Sequence, residues 1–463
     1  MLNRHGQVSR RDLLKWAGFA TAGMTLAACA PATMSQPSGQ NNSSDVLPSE
    51  ELAQISYWHF WSGQHEVLVE RIVELFQQDN PNIQVDVLSV PGAESLQKFL
   101  TAVAGGTPPD VQIISNFQGA VYSFAAEEAI LPQDEIGDPN DVAKLKEFMS
   151  PAIWELGTYD GKLFGVPTWT QSNGLIRNKT LMAEAGLDPE VGPTTLAEFD
   201  EMAAALTKYD ERGNIVQLGA NIPAFWQVWP NFAGQLVAED GRTITANHEN
   251  NVRALEWAAE KAKTFDPRKV SSWQDSMQSS GTFTTIAGER LGMERTGPWR
   301  LGDIKEFNPE MEYAVGGDFV VDGVDEKATY TYGDVLVIAR GSRNPQAAFT
   351  FVGYLCGLQG EDLYTELFVS SLRPHIPISE TLAYSDTFQQ VREGYPGYDV
   401  FLDNIFNADK IATPPKVPVA QFYIEQLQAT EAKVKLGEIG PQEALDQLTA
   451  DVQAELDRWH ESR

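Results

Sequence analysis

The stretch from Tyr159 to Arg177, YDGKLFGVPTWTQSNGLIR, constrains the fold of this chain more than any other. The turn signal Tyr159-Asp160-Gly161 leads into Leu163-Phe164-Gly165-Val166, an apolar run that suits a short strand. Pro167 ends the strand, because it has no N–H for a ladder and holds Val166 extended. Thr168-Trp169-Thr170-Gln171-Ser172-Asn173 then sets hydroxyls and amides around one indole, and Gly174-Leu175-Ile176-Arg177 begins a second apolar strand. A strand that stops, presents an aromatic and restarts is either a surface loop or the crossing between two lobes that share a cleft. The rest of the chain favours the crossing.

Residues 53–127 alternate strand and helix signals. Ile55 to Trp61 reads as a first strand, and Val67, Leu68, Ile72, Leu75 and Phe76 recur at helical spacing up to Asn80-Pro81-Asn82. Ile83 to Val90 is a second strand, Leu96 to Val103 a second helix and Val111 to Ile114 a third strand. Such alternation predicts a mainly parallel sheet covered on both faces, with ligands beyond the carboxyl ends of its strands. That places Trp61, Ser62, Asn116 and Gln118 at a rim. Gly105-Gly106-Thr107 lacks the Lys-Ser/Thr of a phosphate-binding loop and reads as a turn. Further on, Thr195 to Glu198 is a capping box opening a helix to Lys208. Asn250 to Lys263 is another helix, and a helix is expected beyond Trp299. Tyr330 to Ala339 reads as a return strand, followed by a helix over Asn344 to Leu355. Val419 to Arg463 reads as two helices separated by Gly437 to Pro441.

The first 29 residues read as a processing signal. Arg4, Arg10, Arg11 and Lys15 form a basic region, and the uncharged Trp16 to Ala28 is too short to span a bilayer as a helix. Ser9 to Lys15 resembles a twin-arginine export signal, and Leu26-Ala27-Ala28-Cys29 resembles a lipobox with Cys29 as the lipidated residue. A transmembrane anchor is the alternative. Residues 30–52 then have the composition of a flexible linker. More than 400 residues remain, enough for two cores. Beyond Cys29 the only cysteine is Cys356, at helical spacing from Phe349, Val352 and Leu355, which reads as a small buried residue. The formal charge is −30, and no cluster of Lys and Arg stands outside the leader, which argues against nucleic acid.

Several segments resemble the bacterial extracellular solute-binding proteins of family 1, the maltose-binding-protein-like receptors of ABC importers. The family pattern G-K-x-Y/F-G-V-P followed by Y-N-K-x-L-F is met by Gly161 to Pro167 and by Arg177 to Met182, with Arg177 and Met182 replacing the usual aromatics. Phe76 to Val85, Ala102 to Val111 and Phe283 to Trp299 are similar to three further family blocks. In the last, Gly288, Met293, Gly297, Pro298 and Trp299 match, while Gly292 replaces an alanine. Gly333-Asp334 stands where the family has paired glycines.

The resemblance implies an α/β, two-lobed periplasmic-binding-protein fold of type II, each lobe a mainly parallel sheet flanked by helices. It implies one lobe from 53–167 plus 335–385 and another from 168–334 plus 386–463, hinged around a cleft. The expected function is capture of a mono- or oligosaccharide for an ABC permease, by a monomer held outside the cell membrane, at the surface or in the periplasm, by lipid on Cys29. A receptor for a polyamine or a glycerol phosphodiester is an alternative, and a glycoside hydrolase a more distant one.

All but one of the 11 tryptophans lie beyond the leader. Indole faces stack on pyranose C–H faces, and amides, carboxylates and Arg forks read hydroxyls. The candidate ligand-binding residues are Trp61, Asn116, Gln118, Trp169, Gln171, Trp226, Trp229, Trp299, Arg300, Tyr332, Asp334 and Tyr423. For each aromatic the competing assignment is ordinary packing, an even choice for Trp169 and Trp299 and the favoured one for Trp226, Trp229 and Tyr423. A glycosidase needs two carboxyls at a fixed separation, and no segment singles out such a pair. There is no Gly-x-Ser-x-Gly, His-Glu-x-x-His or Cys-x-x-Cys, and no two histidines stand three or four residues apart. No catalytic residue, metal or cofactor is expected.

Overall fold

The computed structural model describes residues 52–61, 64–116, 119–279, 285–318, 320–359, 363–365 and 374–463. The leader, Cys29, the linker as far as Glu51, Ser62 and Gln118 lie outside the described residues. The strands are β1 (Ala53–His59), β2 (Ile83–Ser89), β3 (Val111–Ser115), β4 (Thr158–Tyr159), β5 (Lys162–Leu163), β6 (Gly165–Pro167) and β7 (Gly174–Asn178). They continue with β8 (Lys208–Tyr209), β9 (Ile215–Ala220), β10 (Leu291–Thr296), β11 (Tyr313–Gly316), β12 (Ala328–Tyr330), β13 (Asp334–Ile338) and β14 (Lys410–Ala412).

Side-chain periodicity accounts for the elements. In β1, Ile55, Tyr57 and His59 point inward on a period of two. In the helix Gln64–Asp79, Val69, Ile72, Val73 and Phe76 bury one stripe. Gly106, at φ +73°, turns the chain after the helix Gly92–Ala104, as a glycine-rich turn should. The capping box is present: Thr195 accepts from the Glu198 N–H, and the Glu198 carboxylate accepts from the N–H groups of Thr194 and Thr195. Its helix stops at Leu206 rather than Lys208. There the Thr207 hydroxyl donates to the Ala203 carbonyl and accepts from Gly219 of β9, tying the helix end to the sheet.

Two five-stranded sheets result. The first has the order β2-β1-β3-β13-β6; β1 is parallel to β2 and β3, while β13 runs antiparallel between β3 and β6. The second has the order β11-β7-β10-β9-β8 and is more mixed than the sequence led us to expect. Only β9 and β10 pair in parallel, because a tight turn reverses β8 into β9, β7 runs opposite to β10, and β11 in turn runs opposite to β7. The return strand is also divided. β12 pairs with β14, Thr331 to Gly333 leave the ladder, and β13 begins at Asp334. The helix Ala420–Lys435 packs on Ala120–Ala126 as well as on Glu249–Phe265, so the C-terminal segment touches elements beside both sheets. Cys356 is buried as anticipated, beside the buried Phe349 and Val352.

Candidate functional site

The chain passes between the sheets after Pro167 and again before Asp334, and the two passages are laced together. The N–H and hydroxyl of Thr168 both donate to the Asp334 carbonyl, at 2.9 and 3.0 Å. Thr170 exchanges backbone hydrogen bonds with Ile376 and shares a hydroxyl contact of 2.8 Å with Thr331. Ser172 donates to the Phe401 carbonyl at 2.7 Å, and Asn404 donates to the Asn173 carbonyl at 2.8 Å. The hydroxyls around Trp169 are thus spent on holding the crossing in place. They are buried, and their hydrogen bonds are already made.

One group of side chains is left facing outward here. Trp61, just beyond β1, and Trp169 on the first passage are both half-buried, with ring centroids 5.1 Å apart and a tilt of 30°. The imidazole of His375 lies flat on Trp169, at 4.2 Å and 2°. Behind this wall sits Asp334, 6% exposed. Its carboxyl is faced by the Ser115 hydroxyl at the end of β3 and by the indole N–H groups of Trp61 and Trp169. The Trp169 N–H, sealed from solvent, completes no hydrogen bond. Burial pushes the Asp334 carboxyl up to about 7, a rise that those three polar neighbours oppose without reversing. A second aromatic group forms just before Asp334 in the chain, where Tyr330 and Tyr332 meet the distant Trp226, Tyr330 edge-on at 5.4 Å and Tyr332 at 6.2 Å. The Asp334 charge pushes the Tyr332 phenol further up, which places Tyr332 within its field.

Aromatic faces backed by a buried carboxyl thus stand at the crossing between the two sheets. Residues 62–358 match the sequence family described as bacterial extracellular solute-binding protein. The chain belongs to that family. Among similar proteins is the diacetylchitobiose binding protein DasA of Streptomyces coelicolor, 23% identical over 265 residues, 55% of this chain and 58% of the relative. The mannotriose-bound structure of CpMnBP1 superposes with a TM-score of 0.70 at 23% identity, covering 86% of this chain and 99% of the other. The GacH receptor of Streptomyces glaucescens, solved unliganded and with acarbose, gives 0.69 at 20% identity, covering 88% and 99%. The solute-binding protein therefore has the two-lobed periplasmic-binding fold.

Within this solute-binding protein the other candidates are distributed unevenly. Asn116 is fully buried: its amide donates to the Leu156 carbonyl and accepts from Val121, so it braces the loop after β3 and does not stand at a rim. Tyr423 is likewise enclosed, donating to the Leu236 carbonyl at 2.9 Å, and Trp229 is 6% exposed in the core. For both, burial agrees with ordinary packing, the assignment the sequence favours. Gln171 is 8% exposed; its carbonyl accepts from Thr331 and its side-chain oxygen has no partner. Trp299 opens the helix Trp299–Phe307 half-exposed, with its ring over Gly297 where a Cβ would collide with it. Arg300 is engaged: its guanidinium pairs with the buried Glu294 at 3.0 Å and also with Asp303, which leaves less of it for a ligand. His375 and Ser115 were not anticipated. The prolines bracketing His375-Ile376 were the available signal, since they fix the backbone that presents the imidazole.

Gly333 shows how closely the passages approach. A Cβ there would lie 2.3 Å from the Trp169 carbonyl oxygen, while the Gly333 carbonyl accepts from the Asn116 N–H at 3.0 Å. Gly333→Ala is expected to destabilise the protein by about 1–3 kcal/mol and to disturb the indole wall, whereas Gly440→Ala, with open space around it, should change the urea midpoint little.

Proposed function

We propose that this protein is a non-catalytic receptor that captures a carbohydrate between its lobes and delivers it to an ABC permease. The lobes are 53–167 with 335–385, and 168–334 with 386–463. The observation that carries the reading is the half-exposed Trp61–Trp169 pair at the crossing, two adjoining indoles of the kind that stack on sugar C–H faces, placed where two lobes would close. The carbohydrates in the names of similar proteins, diacetylchitobiose, mannotriose and acarbose, support the same ligand class. Trp226, Tyr332 and Trp299 would supply the opposing surface, and Gln171 an amide. Closure would be stabilised only by the ligand's preference for the closed form. Lipid on Cys29 would hold the protein, as a monomer, outside the membrane.

Trp169→Ala is expected to weaken binding by about 1–3 kcal/mol, a factor of about 5 to 150, with the fold retained. Calorimetry on the oligosaccharide giving the largest thermal shift measures this, and an unchanged affinity would remove Trp169 from the site. Release of reducing sugar during the same incubation would replace the receptor by a hydrolase. A second reading, a polyamine, is favoured by the wall's buried carboxylate, which faces no cation among the described residues. A polyamine arm in the thermal-shift screen decides between them. A phosphodiester is less suited, because Arg300 is already paired.

A further inference from the structure

We propose that Asp334 is a positioning residue for the stacking wall: its ionised carboxylate holds the indole N–H groups of Trp61 and Trp169, so that ligand capture weakens as the medium acidifies. The inference rests on the carbohydrate reading for its second half only. Asp334 stands at the point where four segments meet. It begins β13; it is opposite Ser115 of β3; its carbonyl takes both donors of Thr168; and its carboxyl faces the two indoles.

The state of this carboxyl determines how the indoles are held. Ionised, it is an acceptor at both oxygens and can take N–H groups from two directions at once. Protonated, it keeps one carbonyl acceptor and carries a hydroxyl that must itself find an acceptor, so one indole is released. The buried Trp169 N–H, which faces this carboxyl and has no completed hydrogen bond, is the group most able to respond. An orphaned buried donor is unfavourable, and a small ring movement toward an ionised acceptor relieves it. Because Asp334 is already sealed from water, a ligand on the outer face of the wall adds little further desolvation. Ligand binding then favours the ionised form, through the ring orientation it enforces, and affinity rises with pH.

The other titratable groups in the surroundings are named readily. Tyr57 on β1 and Tyr332 before β13 are phenols that burial and the Asp334 charge both push up, so they stay neutral. His59 on β1, whose ring centre is 6.1 Å from Trp61, is buried and pushed down from the ordinary histidine value by desolvation. His375 stacks on Trp169, so His375→Gln separates its contribution from that of Asp334.

The test follows the tryptophan indole N–H resonances of the full-length protein, labelled on tryptophan, from about pH 5 to about pH 9 without ligand, with Trp61→Phe and Trp169→Phe for assignment. Both resonances are expected to move together with a midpoint near neutrality in the wild type and in His375→Gln, and to stand still in Asp334→Asn. The second arm measures affinity for mannotriose, diacetylchitobiose, maltotriose and acarbose over the same range. For the sugar that binds, affinity is expected to rise about five- to tenfold between about pH 5.5 and about pH 8 in the wild type and to be flat in Asp334→Asn. Resonances that do not titrate, or that titrate alike in Asp334→Asn, overturn the proposal. So does a titration that disappears in His375→Gln, or an affinity independent of pH. If the resonances behave as expected but no carbohydrate binds at any pH, the carbohydrate reading fails and the role of Asp334 in holding the wall stands.

Discussion

Asp334→Asn is expected to make the protein more stable at pH 8. The folded protein holds the Asp334 proton up to about pH 7, whereas an unfolded chain releases it near the ordinary aspartate value of about 3.9. Over that window the native state binds more protons, so stability falls as pH rises from about 4 to about 7 and the whole loss is present above that. A shift of about three pK units corresponds to about 4 kcal/mol as an upper value. Asparagine is never charged and avoids the loss, at the expense of part of the contact with the indoles. Urea unfolding at about pH 4 and about pH 8 measures it: the two proteins should be close at the lower pH, and the variant ahead at the higher. A variant that is less stable at both would mean that the carboxylate is stabilised in the folded protein after all. The same substitution is expected to weaken ligand binding, which makes Asp334 a position where the fold gives up stability for a site.

The second large effect is expected at Asp318. Arg295, near the end of β10, has a side chain with no exposure, and its Nε and Nη2 donate to the two Asp318 oxygens at 2.7 and 2.6 Å. Arg295 also donates to the Gln227 carbonyl beside Trp226, while its own N–H donates to Asn221 after β9. Asp318→Asn removes the charge that balances a fully enclosed guanidinium, and is expected to cost about 3–5 kcal/mol. Replacing both partners by apolar residues, as in Arg295→Met with Asp318→Leu, should recover much of that loss. The exposed pair Lys144–Asp141 serves as the comparison; Asp141→Asn there should change stability by no more than about 0.5 kcal/mol. Equal losses at the two places would contradict the view that burial sets the magnitude.

The elements that could be read from the sequence are those with one dominant local cause. The capping box at Thr195, the stop at Pro167, the stripe of Val69, Ile72 and Phe76, and the break at Gly437 to Pro441 each depend on neighbours within a few residues. The site was less legible, because what makes an indole a wall or a core residue is the partner it meets from far along the chain. Trp169 faces outward because Thr168, Thr170 and Ser172 anchor the passage beside it, to partners more than 150 residues away. Trp229 and Tyr423 carry equally suitable rings and are enclosed by helices that the local pattern does not place. Asn116 and Arg300 were chosen for chemistry that the fold uses internally. Asp334 stood out both as a candidate ligand partner and as a departure from a family's paired glycines, and the fold buries it behind the wall.

The order of strands in the first sheet has a consequence for how the molecule comes into being. β6 is joined to that sheet through β13 alone, and the residues between them build a second sheet. A ribosome that has reached Pro167 has therefore made an edge with nothing to complete it, and β3 stays open on one side until Asp334–Ile338 emerges. Bare edges of this kind invite pairing with other chains. A fragment ending at Pro167 should precipitate, and the intact polypeptide would gain from folding fully, its late strand in place, before it crosses any membrane. An export route that carries finished folds would suit a protein whose first half waits so long for its last piece.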